Sequence, residues 1–321
     1  MKLFLRGIAL VVLLIVAAGL TFYLHPLWVN DRQIRFTLWR NHAQSKYVDA
    51  AGYRLHYYEV LPQDGSAGTP LLLVHGLGAR GEDWGPLMTG LAAKGFHVYA
   101  PDLLGYGRSP RPDVSYSIAL EEAIVVSFMQ AVHLPRAEVG GWSMGGWVAM
   151  KLALDHPELV DRLVVYDSAG LYFSSAETAE VFTPSDVAGV RRLMAVLTPQ
   201  PVSMPDFVAR DVARKLQGNA WIIRRNVSSM MRGRDLLDFK LQGIRVPTLV
   251  VWGSHDDLIP VEAGERINRG IEGSSMVVVE GCGHLAPAEC WRPVLESTVA
   301  FLRADPPIRG GKSMVANVQA K

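Results

Sequence analysis

The chain has 321 residues, of which 49% are hydrophobic and 20% charged, and its formal net charge is +1. This composition is typical of a globular protein with a sizeable core and excludes a disordered chain. The near-zero net charge excludes a long-range basic field that would attract nucleic acid. Two cysteines, Cys282 and Cys290, are too few for a disulfide scaffold. They could pair, but we expect two small buried thiols without chemistry.

An uncharged apolar segment, residues 7–24, lies close to the N-terminus and follows two basic residues. A helix of this length spans roughly 27 Å, close to the hydrocarbon thickness of a bilayer. The apolar run continues past the small residues at 17–19, and Tyr23 and Trp28 lie where interfacial aromatic residues are common. The pattern favours an uncleaved membrane anchor over residues 1–26. A secretory signal, removed to release the protein, is the alternative.

The juxtamembrane segment, residues 27–45, mixes aromatic and basic side chains. Two interpretations stay open: an amphipathic helix along the lipid headgroups, or a connector whose aromatic residues pack on the following domain. Basic residues after the apolar run outnumber the two before it. The positive-inside rule therefore favours a cytoplasmic location for the large domain.

Residues 46–304 have the pattern of one α/β domain. Residues 47–49 and 53–60 flank Ala-Ala-Gly and predict a β-hairpin. Short apolar strands then alternate with helices. The strands are predicted at 71–75, 97–100, 137–141, 160–166, 248–252 and 275–279, and the helices at 82–94, 115–132, 144–155, 261–269 and 293–302. This alternation predicts a doubly wound, mostly parallel sheet with helices on both faces.

Residues 171–242 interrupt the alternation. The insertion is rich in proline, has helical patterns at 187–197 and 207–216, and contains no convincing strand. An insertion of this length in a compact fold is usually functional, so we expect a helical cap. Residues 305–321 are expected to form a frayed polar tail.

The sequence Gly141-Trp142-Ser143-Met144-Gly145 lies between a predicted strand and a predicted helix. It fits G-x-S-x-G, the nucleophile elbow, in which a sharp turn holds the serine hydroxyl out of the sheet. Glycines two residues to either side avoid a collision with the turn. The N-terminus of the following helix then faces developing negative charge. Ser143 is therefore the candidate nucleophile.

Serine needs a base, and the base needs an acid to orient it. His284 follows a predicted strand in the turn Gly281-Cys282-Gly283-His284 and is the candidate base. Asp256 lies at the carboxyl end of the preceding strand and is the candidate acid, in the chain order Ser, Asp, His. Asp257, its neighbour, and Asp167, at the end of an earlier strand, are the alternatives.

An oxyanion hole needs two backbone N–H donors. Met144, directly after the serine, can supply one, and Leu77 in His75-Gly76-Leu77-Gly78 can supply the other. Trp142, Trp147, Trp84 and Leu77 are candidates to line an apolar substrate pocket. Each tryptophan alone is more often a core residue.

These motifs together resemble the α/β-hydrolase superfamily over residues 46–302. The resemblance rests on HGLG at 75–78, DLLGYGRS at 102–109, GWSMGG at 141–146, GSHDDLIP at 253–260 and GCGH at 281–284. Within the superfamily the chain is similar to membrane-anchored monoacylglycerol lipases and related bacterial lipases. They also combine an N-terminal anchor with GxSMGG, and some carry DSAG, as at 167–170 here. The resemblance implies hydrolysis of carboxylic esters with acyl chains.

Other branches are disfavoured by single positions. Epoxide hydrolases and haloalkane dehalogenases have aspartate where this chain has Ser143. Meta-cleavage C–C hydrolases usually have tryptophan where it has Leu285, and perhydrolases have a glycine-rich stretch where it has Trp147 and Val148.

We therefore expect a serine esterase or lipase acting on lipophilic esters, with no metal, no cofactor and no nucleic-acid partner. Its expected partners are the ester substrate and, through the anchor, membrane lipid. A C–C bond hydrolase or another acyl hydrolase with the same triad is one alternative. A membrane-tethered binding protein on an inactive hydrolase fold is the other.

Overall fold

The computed structural model describes residues 1–173, 179–200 and 203–317. The helices are α1 (Lys2–Leu24), α2 (Pro26–Arg40), α3 (Gly85–Ala93), α4 (Ile118–Ala131), α5 (Met144–Asp155), α6 (Val187–Leu197), α7 (Asp206–Met231), α8 (Val261–Gly270), α9 (Ala286–Glu289) and α10 (Trp291–Arg303). The strands are β1 (Gln44–Ala50), β2 (Tyr53–Val60), β3 (Thr69–Val74), β4 (Phe96–Pro101), β5 (Ala137–Trp142), β6 (Val160–Tyr166), β7 (Thr248–Gly253), β8 (Ser275–Val279) and β9 (Lys312–Val315).

One sheet of nine strands, in the order β1-β2-β4-β3-β5-β6-β7-β8-β9, organises the chain. β2 is antiparallel to both β1 and β4, and the remaining pairs are parallel. The predicted hairpin and the mostly parallel sheet are confirmed. The central strands β5 and β7 are buried throughout, which explains the apolar run at 249–252 of β7; β5 also buries Glu138.

Helices cover both faces of the sheet. The apolar sides of α4, α5 and α8 pack on one face. Those of α3 and α10 pack on the other, together with Leu38 from α2. This arrangement brings the carboxyl ends of the parallel strands to one edge, where ligands bind in open α/β sheets.

The insertion at 171–242 contains α6 and α7, and no strand occurs in its described part. Val190 of α6 packs against Ala209 and Ala213 of α7 in a small separate core. α7 is much longer than the predicted helix at 207–216. Asn226 in its second half donates a hydrogen bond from Nδ2 to the Tyr106 hydroxyl, 2.8 Å away, which ties the cap to the sheet domain. Residues 174–178 and 201–202 of the cap lie outside the described residues.

The N-terminal segment forms two helices. In α1, Phe4–Leu24 is long and apolar enough to cross a membrane, and none of it is buried. Its last turn contacts the cap, where the Tyr23 ring stacks on Phe207 with 5.1 Å between centroids. α2 is joined to the rest of the protein by Asp31, which forms ion pairs with Arg80 at 2.7 Å and with Lys215 of the cap at 3.1 Å.

The C-terminal segment differs from the expected frayed tail. Residues 312–315 form β9, which pairs in parallel with β8. An uncovered β8 would be an open sheet edge, and a short extra strand is a common way to cover one. Residues 318–321 of the tail lie outside the described residues.

Candidate active site

Ser143 lies at the turn between β5 and α5. Its φ of 56° and ψ of −120° are unfavourable for a residue with a side chain. Two backbone hydrogen bonds hold this conformation: its N–H donates to the Tyr166 carbonyl at 2.9 Å, and its carbonyl accepts from Ala169 N–H at 3.1 Å. The backbone strain predicted from the G-x-S-x-G pattern is therefore present at the serine itself.

The two glycines of the motif are required by space. A Cβ on Gly145 would lie 2.1 Å from the Val74 carbonyl oxygen, and one on Gly141 would lie 2.3 Å from the Gly145 carbonyl oxygen. Both contacts are with backbone, which cannot move aside as a flexible side chain could. The turn can therefore bring α5 against the end of β3 only with glycine at both positions.

His284 lies between Ser143 and Asp256. Its Nε2 is 2.9 Å from Ser143 Oγ, and its Nδ1 is 2.8 Å from Asp256 Oδ2. The imidazole is almost fully buried. Two further bonds hold its backbone: His284 N–H donates to the Leu197 carbonyl at 3.0 Å, and Trp142 Nε1 donates to the His284 carbonyl at 2.8 Å. The structure thus brings together the three side chains that the sequence selects.

The second oxygen of Asp256 is held by its own loop. Oδ1 accepts hydrogen bonds from Leu258 N–H at 3.0 Å and Ile259 N–H at 2.9 Å. Asp257 points outward and is exposed. Of these two neighbours, Asp256 is thus the one oriented toward the imidazole.

Asp167, the other alternative, lies buried at the end of β6. Its Oδ1 accepts a hydrogen bond from Gly253 N–H at 2.7 Å. Burial raises the pKa of Asp167 well above its ordinary value, and the charge of Asp256 raises it further. Both effects favour the protonated form of this carboxyl over the ionised form.

The loop after β3 is positioned by His75. Its Nδ1 is 2.8 Å from the Gly76 carbonyl, and its Nε2 accepts a hydrogen bond from Leu103 N–H at 3.0 Å. Because Nε2 accepts from Leu103 N–H, the proton of the ring lies on Nδ1, which donates to the Gly76 carbonyl; burial also lowers the pKa of His75. Gly76 passes close to the serine, since a Cβ on it would lie 3.0 Å from Ser143 Cβ.

Leu77 and Met144, the predicted oxyanion-hole residues, both line the cavity at Ser143. Met144 is the first residue of α5, so its N–H has no partner within the helix. Within the described residues, the N–H of Leu77 has no backbone acceptor either. Within the described part of the chain, two N–H donors of the same cavity lining as Ser143 therefore have no backbone acceptor.

Cys282 and Cys290 form a disulfide, which corrects the expectation of two free thiols. Both are buried, and the bridge closes the loop that carries His284. Sequence spacing could not show the pairing, because it depends on the turn of α9 between the two residues.

A cavity of about 1280 Å³ opens at Ser143. Apolar side chains from four parts of the chain line it: the β3 loop, the cap, the segment after His284, and α2. They include Leu77, Leu193, Leu197, Ile223, Val227, Leu285, Ile34 and Leu38. The described lining contains no lysine or arginine. No group of three or more His, Cys, Asp or Glu side chains that could hold a metal ion occurs in the described residues.

The candidate pocket residues fall into two groups. Trp142, Trp147 and Leu77 line the cavity. Trp147 is fixed by a hydrogen bond from Nε1 to the Asp235 carbonyl at 2.8 Å. Trp84 is not in the lining and is a core residue, with its ring 5.7 Å from that of Tyr166.

Sequence reasoning missed the contribution of α2 to this site. Asn30, Ile34, Leu38 and Asn41 line the cavity from one side of the helix. Their spacing of three to four residues was a signal for such a face. The opposite side of α2 carries exposed aromatic residues, so the sequence shows apolar residues on both sides of the helix and does not indicate which side lines a cavity.

Comparison with known proteins agrees with this architecture. A profile of the Alpha/beta hydrolase family matches residues 71–296. The chain is 32% identical over 257 residues to a 2-hydroxymuconate semialdehyde hydrolase from Pseudomonas putida, covering 75% of this chain and 87% of that one. It is 27% identical over 266 residues to Lipase 1 from Psychrobacter immobilis, covering 78% and 81%.

Among solved structures, the chain is similar to a membrane phospholipase A described as a bacterial virulence factor, and the superposition covers 94% of this chain. The match covers 98% of that protein, with a TM-score of 0.78 and 27% identity. The family profile matches most of the chain, the sheet is mostly parallel, and a serine lies at the expected turn. The chain therefore belongs to the alpha/beta hydrolase family.

Proposed function

We propose that this protein is a serine hydrolase that cleaves carboxylic esters of long acyl chains taken from a membrane. The observation that carries the proposal is the hydrogen-bonded series from Ser143 through His284 to Asp256, opening into a large apolar cavity. The cavity exceeds the roughly 300–1,000 Å³ of sites for drug-sized ligands. Its size suits an extended acyl chain.

In the proposed reaction, Ser143 Oγ attacks the ester carbonyl while His284 Nε2 takes the hydroxyl proton. A bond forms between Oγ and the carbonyl carbon, and the Leu77 and Met144 N–H groups stabilise the oxyanion. His284 then gives the proton to the departing alkoxide, and an acyl-enzyme remains. Water, deprotonated by His284, attacks that ester and releases the fatty acid. Asp256 holds the imidazole in the tautomer that this requires.

The N-terminal helices support a lipid substrate. α1 is long and apolar enough to serve as a membrane anchor, and α2 follows it directly. One side of α2 lines the cavity through Ile34 and Leu38. An acyl chain that leaves the bilayer next to α1 can therefore enter a cavity that extends from α2 to Ser143. The membrane phospholipase A with similar structure makes a phospholipid acyl ester a reasonable substrate class to test.

The alternative activity is C–C bond hydrolysis, favoured by the 32% identical 2-hydroxymuconate semialdehyde hydrolase. Its substrate carries a carboxylate, which needs a cationic or other donor partner when it is buried. The described lining of the cavity offers neutral donors such as Asn30 and Asn41, but no lysine or arginine that would neutralise a carboxylate. The apolar cavity therefore favours the ester.

We further propose that the large domain lies on an oxidising side of the membrane. Disulfides form and persist outside the cytosol, and here one closes the loop that carries His284. This argument opposes the cytoplasmic location that the basic residues after α1 favour. Protease added to intact spheroplasts should degrade the large domain if it lies outside. Protection until lysis would overturn this location.

The function is tested with p-nitrophenyl esters of increasing acyl length and the full-length protein in detergent micelles. Hydrolysis should favour medium or long chains and be lost in Ser143→Ala. Ile223 lines the cavity from α7, so Ile223→Trp should shift the optimum to shorter chains. Arg224→Ala, exposed on the same helix, is the matched control and should leave the optimum unchanged.

Two results would reject the proposal. If the parent protein is as inert as Ser143→Ala on every ester, the hydrolysis of esters is excluded. Decay of a ring-cleavage dienone on adding that same protein would then favour the C–C hydrolase. Inertness toward both substrates, with no labelling by a fluorophosphonate, would favour a binding protein on an inactive fold.

A further inference from the structure

A second, smaller cavity of about 340 Å³ lies at the C-terminal end of α2, where the helix meets β1, β2 and the loop after β4. It shares no described lining residue with the cavity at Ser143. We call it the α2/β1 pocket and define it by Arg35, Trp39, His42, Ser45, Tyr58 and Arg108. Neither the proposed reaction nor the fold gives this pocket a role.

The guanidinium of Arg108 lies in the pocket without a carboxylate. Its Nη1 donates to Ser45 Oγ at 2.8 Å and its Nη2 to the Tyr58 hydroxyl at 3.3 Å. Nη1 also lies 3.4 Å from Nε2 of His56. No ion pair with Arg108 is formed within the described residues. Arginine offers five N–H donors in a planar fork, so several remain for an anion.

The carboxylates described near the pocket are bonded to other groups and do not contact this guanidinium. Arg35, the second cation of the pocket, is paired with Glu82 at 3.2 Å. Glu82 also contacts Arg80 at 2.8 Å, and Arg80 pairs in turn with Asp31 and Asp83, so the charges of this neighbouring cluster are paired with one another. Arg108 therefore keeps N–H donors that no carboxylate of the described residues contacts, and an anionic ligand can accept hydrogen bonds from them.

The position of the pocket points to a membrane lipid as the source of that anion. Trp28, Phe36 and Trp39 are 52%, 56% and 68% exposed, and they share one face of α2 with Arg32. The Arg32 guanidinium lies 4.6 Å from the centre of the Trp28 ring. Exposed aromatic and basic residues on a helix next to a membrane anchor are typical of the lipid headgroup region. Trp39 belongs both to this face and to the pocket.

From these observations we infer that the α2/β1 pocket binds the phosphate of an anionic membrane lipid. Arg108 contacts the phosphate oxygens, and Trp39 packs against the glycerol and the first carbons of the acyl chains. The site is separate from the proposed ester hydrolysis and does not depend on it. Its occupation would hold α2, and with it one wall of the large cavity, against the headgroups.

The test uses the full-length protein with Ser143→Ala, so that no bound lipid is hydrolysed. Native mass spectrometry from detergent counts the lipids bound after mixing with equal amounts of phosphatidylglycerol and phosphatidylcholine of the same chain length. One positive charge near the surface contributes roughly 1 kcal/mol, which corresponds to a preference of about 5-fold for phosphatidylglycerol. Arg108→Gln should remove this preference. Arg111→Gln, on the same loop but bonded to Asn219, should keep it.

A second variant covers the case in which Arg108→Gln does not fold. Trp39 is largely exposed, so Trp39→Ala should fold normally and still weaken phosphatidylglycerol binding. Titration with inorganic phosphate alone distinguishes a lipid from a free-phosphate site. Equal binding of the two lipids, phosphate binding as tight as that of phosphatidylglycerol, or unchanged binding in both variants would each overturn the inference.

Discussion

The buried carboxyl of Asp167 accepts a hydrogen bond from the backbone N–H of Gly253, 2.7 Å away, at the start of the loop that carries Asp256. The two aspartates therefore lie at the ends of adjacent strands, and their environments separate their roles. Asp256 contacts His284, whereas burial raises the pKa of Asp167 and disfavours its charged form. Asp256→Asn should lower kcat by about 10⁴-fold, because an amide stabilises the wrong imidazole tautomer.

Asp167→Asn is the matched control for this variant. An amide has the shape of a neutral carboxyl and can still accept from Gly253, so ester hydrolysis should stay within a few-fold of the parent. Measured kcat values for the two single variants and the double variant decide the assignment. Substantial activity in Asp256→Asn that disappears in the double variant would assign the acid to Asp167 instead.

The close approach of Gly145 to β3 predicts a strong effect of one added methyl group. Its Cβ would lie 2.1 Å from the Val74 carbonyl oxygen, so Gly145→Ala must move α5 or the strand. We expect a loss of several kcal/mol in the free energy of unfolding or a failure to fold.

Gly218 in α7 provides the comparison. A Cβ there would meet nothing within 4 Å, and Gly218→Ala should raise stability by up to about 1 kcal/mol, because alanine favours the helix. Thermal unfolding of both variants tests the pair. Equal stability of Gly145→Ala and the parent would contradict the packing at the elbow.

The Cys282–Cys290 disulfide predicts that activity depends on the oxidation state. Without the bridge the His284 loop is less constrained, so the Cys282→Ser/Cys290→Ser variant should lose about 10- to 100-fold in kcat through misalignment of the imidazole. KM should change little, since neither cysteine lines the large cavity. Alkylation of the denatured protein before and after reduction measures the bridge. Two free thiols in active protein from an oxidising compartment would be inconsistent with it.

Glu121 predicts a pH dependence of stability that is unrelated to the active site. Burial on α4 raises the pKa of Glu121 to about 8. The folded chain therefore keeps a proton that the unfolded chain releases above the ordinary value of 4.5. Protonated Glu121 therefore contributes fully to the free energy of unfolding when the pH is below its ordinary pKa of 4.5. This contribution is lost as the pH rises to about 8.

The glutamine of Glu121→Gln cannot ionise. The difference in thermal midpoint, variant minus parent, should therefore increase as the pH rises from about 5 to 8. The exposed Glu296→Gln serves as the control and should track the parent. A difference between Glu121→Gln and the parent that is constant over this pH range would argue against the raised pKa.

Much of the fold was predictable because its signals are local. The buried parallel strand β7 is a nearly continuous apolar run, and helices such as α6 begin and end at the residues that the pattern predicts. The elbow at Ser143 was predictable since only glycine fits at 141 and 145. His284 and Asp256 followed from their positions at strand ends, which a parallel sheet brings to the same edge.

Features that depend on distant contacts were not predictable. The lining of the cavity by α2 arises from the ion pairs of Asp31 with Arg80 and Lys215, which are far apart in the sequence. The pairing of β9 depends on the free edge of β8, and its own four residues carry no strong strand signal. The length of α7 was missed because its sequence is mixed in polarity, and its second half is held by contacts with the sheet domain, such as buried Ile222 and the Asn226–Tyr106 hydrogen bond.

The most direct test of the central claim is to label the full-length protein with a fluorophosphonate and identify the modified peptide by mass spectrometry. We predict one label per chain, on Ser143, with labelling at least 100-fold slower in His284→Ala and unchanged in Ser168→Ala. Labelling at another serine, or labelling of Ser143 that is equally fast without the imidazole, would contradict the account.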